Sequence, residues 1–199
     1  MKKIFKAILA IGIVGAMALG FAACGGNGGS DAITVISREE GSGTRGAFVE
    51  LTGVEVDKVD KTVATAEISS STAVVMQTVA GNKAAIGYIS LGSLDNTVKA
   101  VKVDGVEATA DNVKKGTYPI CRPFNIATKG DLSDAAKDFI AFIQSDEGQQ
   151  VITDKGCVST GSTGAFSSAN PTGTVVVEGS SSVTPVMEKL AEAYMAINS

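Results

Sequence analysis

The 199-residue chain contains no histidine and no tryptophan, and only three cysteines and four prolines. Without histidine it lacks the commonest general base near neutral pH and the commonest zinc ligand. A serine nucleophile at Ser42 or Ser181 would have only a lysine to activate it, and no Ser-x-x-Lys spacing accompanies either residue. Basic residues are in deficit, 17 Lys and Arg against 21 Asp and Glu. A chain of this charge has no global attraction for nucleic acid or for an anionic membrane surface, so an anion site in it must work through local donors and helix ends. The Gly-x-x-x-x-Gly-Lys-Ser/Thr spacing of a nucleotide P-loop is also absent.

What is present at the N-terminus has the form of an export signal. Lys2, Lys3 and Lys6 precede an uninterrupted apolar run from Ala7 to Ala23, short for a membrane span. The run ends in Phe21-Ala22-Ala23-Cys24, which resembles a bacterial lipobox: residues 1–23 would be removed and the Cys24 thiol would carry diacylglycerol. The competing reading is a buried N-terminal helix. Residues 24–32 continue as a glycine-rich tether suited to join a lipid anchor to a folded body. These features place the protein on the extracytoplasmic face of the cell membrane. Removing residues 1–23 takes away three lysines and no acid, moving the net charge from −4 to −7. With Cys24 assigned to the anchor, Cys121 and Cys157 are left as a possible disulfide or as two buried free thiols; two cysteines alone build no structural metal site, and no cofactor is called for.

From residue 33 to 160 short apolar runs alternate with amphipathic stretches, the pattern of an α/β domain. Ile33–Ile36 predicts a strand, followed by a polar Gly/Ser loop and a short helix near Ala47–Leu51. A helix is expected over Thr72–Ala80, capped by Ser71 and stopped by Gly81, then a buried strand over Ala85–Leu91. Residues 98–126 read as extended segments and turns. Ser133 caps a helix whose Ala136, Phe139, Ile140 and Ile143 share one face, and Ser145-Asp146-Glu147 opens another that ends near Gly156. Cys157–Ser159 reads as a short closing strand. Residues 161–173 have the composition of a linker. Beyond it come a strand over Thr174–Val177 and a helix begun by Thr184-Pro185, with Val186, Leu190, Ala193 and Ile197 on one face.

Two segments share one design of strand, Gly/Ser loop and helix start: Thr34 to Gly46, and Thr174 to Pro185. Such a loop offers backbone N–H groups at the positive end of a helix, glycine permits close approach, and hydroxyls add donors with little bulk. Arg38, just before the first loop, supplies a planar fork matched to two oxygens of an oxyanion. Glu40, two residues on, is placed to hold that guanidinium. A Gly-Ser-Gly-Thr loop alone is also what ordinary helix caps use; the arginine and the second loop set this pair apart.

Ser37-Arg38-Glu39-Glu40-Gly41-Ser42-Gly43-Thr44-Arg45-Gly46-Ala47-Phe48 resembles the phosphate-contacting segment of the PstS-type binding proteins of bacterial ABC importers. Ala85 to Gly92 and Arg122 to Asn125 are similar to later stretches of the same lobe, and Gly179 to Val186 resembles the segment that normally opens the mature protein. The resemblance implies a type II periplasmic-binding-protein-like α/β fold, here one lobe (33–160) with the first strand and helix of a second lobe (174–199). It implies that inorganic phosphate is the ligand and that the permease and ATPase subunits of an importer are the partners. Carried over by position, Arg38, Ser42, Gly43 and Thr44 contact phosphate from one lobe and Ser181, or its neighbours Ser180 and Ser182, from the other, with Glu40 supporting the arginine. The two segments stand in reversed order, and most of the lobe between them, with the carboxylate that accepts the phosphate proton, is missing. A longer chain continuing past Ser199 and a shortened relative both account for this. A non-transporting surface sensor on the same fold is the rival function.

Overall fold

The computed structural model describes residues 32–198; Cys24 and the export signal and tether expected over residues 1–31 lie outside the described residues. Strand β1 (Thr34–Arg38) is the middle of a three-stranded parallel sheet, between β4 (Glu67–Ser69) and β5 (Ala85–Ile86). Ile36, Ser37 and Arg38 lie opposite Glu67, Ile68 and Ser69, and Thr34 and Val35 lie opposite Ala85 and Ile86. The chain leaves β1 to form β4 on one side, then returns to form β5 on the other. The carboxyl end of β1 is therefore where chain direction reverses across the sheet, the usual place for a ligand site in an open parallel sheet.

Helix α1 (Gly43–Leu51) follows β1, and α2 (Thr72–Gly81) follows β4; both pack on β1. Between them a hairpin of β2 (Glu55–Val56) and β3 (Val59–Asp60) turns through Asp57 and Lys58, both at positive φ, the backbone of a type I′ turn. The predicted strand over Ala85–Leu91 is paired only at its first two residues and runs on into a single 3₁₀ turn at Leu91–Ser93. Residues 98–126 are extended as expected except for α3 (Ala110–Lys114), one turn capped by Thr109.

The apolar core lies elsewhere. Helices α4 (Asp134–Gln144), α5 (Asp146–Asp154) and α6 (Thr184–Ile197) pack on one another, and Phe139, Phe142, Ile143, Val186 and Leu190 are buried between them. Their aromatic rings meet off parallel, Phe142 with Phe166 at 5.2 Å and Phe139 with Tyr194 at 5.1 Å between centroids, a favourable quadrupole arrangement. Ser145 joins two of the helices: its Oγ donates to Phe142 O at the end of α4 and accepts from Gly148 N at the start of α5. The junction is tight enough that a Cβ on Gly148 would sit 2.1 Å from Phe142 O, so only glycine fits.

This packing changes the expected division. The sequence assigns α4 and α5 to one lobe and α6 to another, yet the three share one core, and from Ile33 on the chain is one compact unit. Residues 161–173, linker-like in composition, are tied down: Asp146 N bonds Gly164 O, Phe166 N bonds Glu147, and Ser168 and Ala169 bond Asp138. The expected strands at Cys157–Ser159 and Thr174–Val177 have no partner and do not form. Ile197, expected on the buried face of α6, is exposed because the core ends a turn earlier. Cys121 and Cys157 are free thiols, the first exposed and the second half-buried, so the possible disulfide is not made.

Candidate functional site

Arg38 ends β1, and its side chain turns into the molecule, 1% exposed. A buried guanidinium must satisfy its donors, and here each of its three nitrogens finds an acceptor. Nε donates to Glu39 Oε2 at 2.8 Å and to Ser69 O at 3.2 Å, Nη2 donates to Glu39 Oε1 at 2.9 Å and Ser181 Oγ at 2.9 Å, and Nη1 donates to Thr72 Oγ1 at 3.2 Å. Among the described residues no buried side-chain nitrogen or oxygen lacks a partner.

The carboxylate that grips Arg38 is Glu39, in place of the expected Glu40. Glu40, two residues beyond Arg38, is expected to hold the guanidinium, but the strand stops at Arg38. Glu39 begins a turn closed by Ser42 N donating to Glu39 O, with Gly41 at φ 80°; glycine is the residue that tolerates this conformation at the third turn position. The turn sends Glu40 into solvent. The Arg38 hydrogen bonds hold the Glu39 carboxyl below the usual carboxylate range, so the pair stays charged at neutral pH.

The second Gly/Ser loop meets the first. Thr44 Oγ1, in the first turn of α1, bonds Ser180 Oγ at 3.2 Å and forms a short contact with Ser182 Oγ. Ser181 Oγ lies between Arg38 Nη2 and Thr72, at 3.2 Å from Thr72 Oγ1 and 3.4 Å from Thr72 N. The structure thus brings together Arg38, Thr44, Ser181 and Ser182 from the expected set. Gly43 is near, an ideal Cβ on it falling 4.0 Å from Ser180 Cβ. Ser42 is employed differently: its side chain accepts from Arg45 N and caps α1. Thr72 and Glu39 are the members that sequence reasoning did not assign to the site, while Ser180, named beside Ser181, bonds Thr44. Thr72 had been placed only as the start of a helix capped by Ser71, but Ser71 makes no capping bond and Thr72 points into the cluster.

The N-termini of α1, α2 and α6 therefore surround one group of hydroxyls, and each helix start contributes partial positive charge. Around this cluster stands a supporting ring. Tyr88 OH accepts from Arg38 N at 3.0 Å and bonds Ser37 Oγ at 2.8 Å, while its ring stacks on Phe48 at 4.1 Å. Arg45 donates from Nη1 to Arg38 O at 2.8 Å and from Nε to Asp60 Oδ2 at 2.7 Å. Thr62 hydrogen bonds, with help from Arg45, bring the Asp60 pKa down to about 2. Chemically the cluster gathers hydroxyls and helix-start amides around one buried cation, groups suited to a small oxyanion. Among the described residues no group of three or more Cys, Asp or Glu side chains is placed to hold a metal ion.

The chain has relatives among known proteins. A family model described as a PBP superfamily domain matches residues 3–147. The phosphate-binding protein PstS 2 of Streptococcus agalactiae is 46% identical over 208 residues, taking in the whole of this chain and 71% of that protein. The crystal structure of a phosphate-binding protein of a Streptococcus pneumoniae ABC transporter is 50% identical, with a TM-score of 0.66 over 83% of this chain and 66% of that one. A phosphate-bound substrate-binding protein from Clostridium perfringens is 41% identical, with a TM-score of 0.59 over 64% of this chain and 52% of that one. The chain thus spans a little under two thirds of the solved streptococcal relative and about half of the clostridial one. By sequence and by fold, the chain belongs to the PBP superfamily and, within it, to the PstS family.

Proposed function

We propose that this chain is an extracytoplasmic solute-binding protein that holds inorganic phosphate for uptake by an ABC importer. The observation that carries the reading is the meeting of Arg38, Thr44, Ser181 and Ser182 from two distant Gly/Ser loops at three helix N-termini. The Arg38 guanidinium supplies positive charge beside the anion, the hydroxyls donate to the phosphate oxygens, and the amides of Gly43 and Thr44 add donors at the start of α1. Glu39 fixes the guanidinium and moderates its charge, so the anion is balanced by one ion pair and helix ends instead of by a surplus of basic side chains.

The partners on this reading are the permease and ATPase subunits of the importer, and the membrane attachment is a lipid on Cys24. Cys24→Ala should move the protein from the membrane fraction to the soluble fraction; retention at the membrane would remove the anchor from the proposal. The binding function is tested by isothermal titration calorimetry of the full chain in non-ionic detergent, with phosphate and then with sulfate as competitor. Saturable phosphate binding that Arg38→Ala weakens is the expected result. Heat of mixing alone, with no saturation, would overturn the reading.

A further inference from the structure

We propose that Thr72 is a phosphate-contacting residue, a donor supplied by the start of α2 that no motif in the sequence marks; this rests on the phosphate reading above. Thr72 is 5% exposed, and its hydroxyl lies 3.2 Å from Arg38 Nη1, 3.2 Å from Ser181 Oγ and 3.4 Å from Ser182 Oγ. A guanidinium has donors and no acceptor. Thr72 Oγ1 must therefore accept from Arg38, which leaves its single proton pointing away from the arginine, toward the serines of the other loop. The charge behind it polarises that hydroxyl and strengthens it as a donor.

The local backbone agrees. Ser71 stands at the N-cap position of α2 without capping it, and the Thr72 amide is directed instead at Ser181 Oγ, 3.4 Å away. Ser69, which could compete for the first turn, is occupied with Ser71. Hydroxyl and amide of one residue thus face the position between the two loops where an oxyanion oxygen would sit. Thr72 completes a ring in which every helix start around Arg38 contributes a donor: Thr44 from α1, Thr72 from α2, and Ser181 and Ser182 ahead of α6.

The test compares phosphate titrations of the full chain with those of Thr72→Val, which keeps the shape and removes the hydroxyl, and Thr72→Ser, which keeps the hydroxyl. Thr72→Val is expected to weaken phosphate about tenfold, the loss of one hydrogen bond to a charged group, while Thr72→Ser binds close to wild type and both melt near the wild-type temperature. In an Arg38→Lys background, where the charge remains, Thr72→Val should cost a similar factor again. Thr72→Val binding like wild type would overturn the proposal, as would equal losses in Thr72→Val and Thr72→Ser accompanied by lower melting temperatures, the signature of a packing role. No further loss in the Arg38→Lys background would assign the effect to arginine placement and overturn the direct contact. A wild-type chain that fails to bind phosphate would bring down the functional reading itself, an outcome separate from all of these.

Discussion

Around the sheet the fully buried residues are Ile36, Val49 and Val75 together with Ser37, Arg38, Ser69 and Thr72, whereas between α4, α5 and α6 they are mainly Phe139, Phe142, Ile143, Val186 and Leu190. In the first set Ser69 and Thr72 make directional bonds to the Arg38 guanidinium, whereas the second is held by apolar area. On the sheet Ile68 and Ile86 remain exposed, so that half draws less on the hydrophobic effect. Burial scales with apolar surface removed from water at roughly 25 cal/mol per Å², which makes the helical cluster the stronger scaffold and the sheet end the more specific one. The site lies where the two meet, with Arg38 and Thr44 from the sheet half and Ser180 to Ser182 leading into a helix of the other.

The largest effect that would break this contrast is Phe142→Ala. Phe142 is fully buried, and such truncations cost about 3–5 kcal/mol from lost transfer energy and the cavity left behind. Urea unfolding should show that loss, with phosphate affinity little changed in the protein that remains folded. A loss under 1 kcal/mol, judged against that range, would mean that the helical cluster is not the main source of stability.

Arg38→Ala is the complementary variant and should act the other way round. It removes charge-assisted contacts of about 1.5–3 kcal/mol from phosphate binding. It also strands Glu39 and the buried hydroxyl of Thr72, so some stability is lost as well, yet less than in Phe142→Ala. Calorimetry and urea unfolding on the same preparation separate the two effects. An Arg38→Ala protein with normal phosphate affinity would contradict the placement of the site at the end of β1.

Acid should also separate the halves. Asp60, in the sheet half, has its pKa depressed from 3.8 to about 2. A depressed carboxyl contributes stability that is fully present above its unfolded pKa and lost as pH falls through the folded value. The Asp60 contribution is therefore intact at neutral pH and disappears from 3.8 down to about 2. In the helical half burial works against a charged Asp138, but bonds from Ala169 N, Ser168 and Tyr194 outweigh it and keep its pKa low. Burial, reinforced by Asp138, raises the Tyr194 phenol to about 12, so the phenol remains a donor throughout. Asp60→Asn should flatten the acid loss around the Arg45 clamp without touching the aromatic near-ultraviolet signal, and Tyr194→Phe should do the reverse. Identical acid profiles in the two variants would show that the halves unfold as one. Between pH 5 and 8, with no histidine to titrate, stability should be nearly flat.

What the sequence made legible follows the same division. Helices α4, α5 and α6 and the serine caps Ser133 and Ser145 were readable, because a helix carries its signals within its own residues: caps, a 3.6-residue apolar face, and Pro185 at the start of α6. Strands are defined by partners, and that is where reading failed. Thr174–Val177 has the composition of a strand but no neighbour, and Val176 is 79% exposed. Elements of two or three residues, such as β2, β3 and β4, are too short to show a period. In the candidate site, Arg38 stood out beside its Gly/Ser loop, and Thr44, Ser181 and Ser182 came from the family resemblance. Glu39 was passed over for Glu40, which the turn at Gly41 sends into solvent, and Thr72 resembled any residue beginning a helix.

The smallest effect concerns the hairpin that carries Asp60. Asp57 and Lys58 occupy its two turn positions at φ 52° and 61°, and a side chain with a Cβ is strained there, where glycine is not. Lys58→Gly should relieve that strain at some cost in unfolded-chain entropy, for a net gain of about 0.5 kcal/mol read as a higher urea midpoint. Asp60 holds Arg45, and Arg45 holds the Arg38 carbonyl, so a stiffer hairpin tests how far the site depends on its frame. Because the guanidinium itself is fixed by Glu39, Ser69 and Thr72, phosphate affinity should not move. An affinity that rose with stability would show that the hairpin limits how well Arg38 is placed, and that the sheet half sets binding through its backbone as well as its donors.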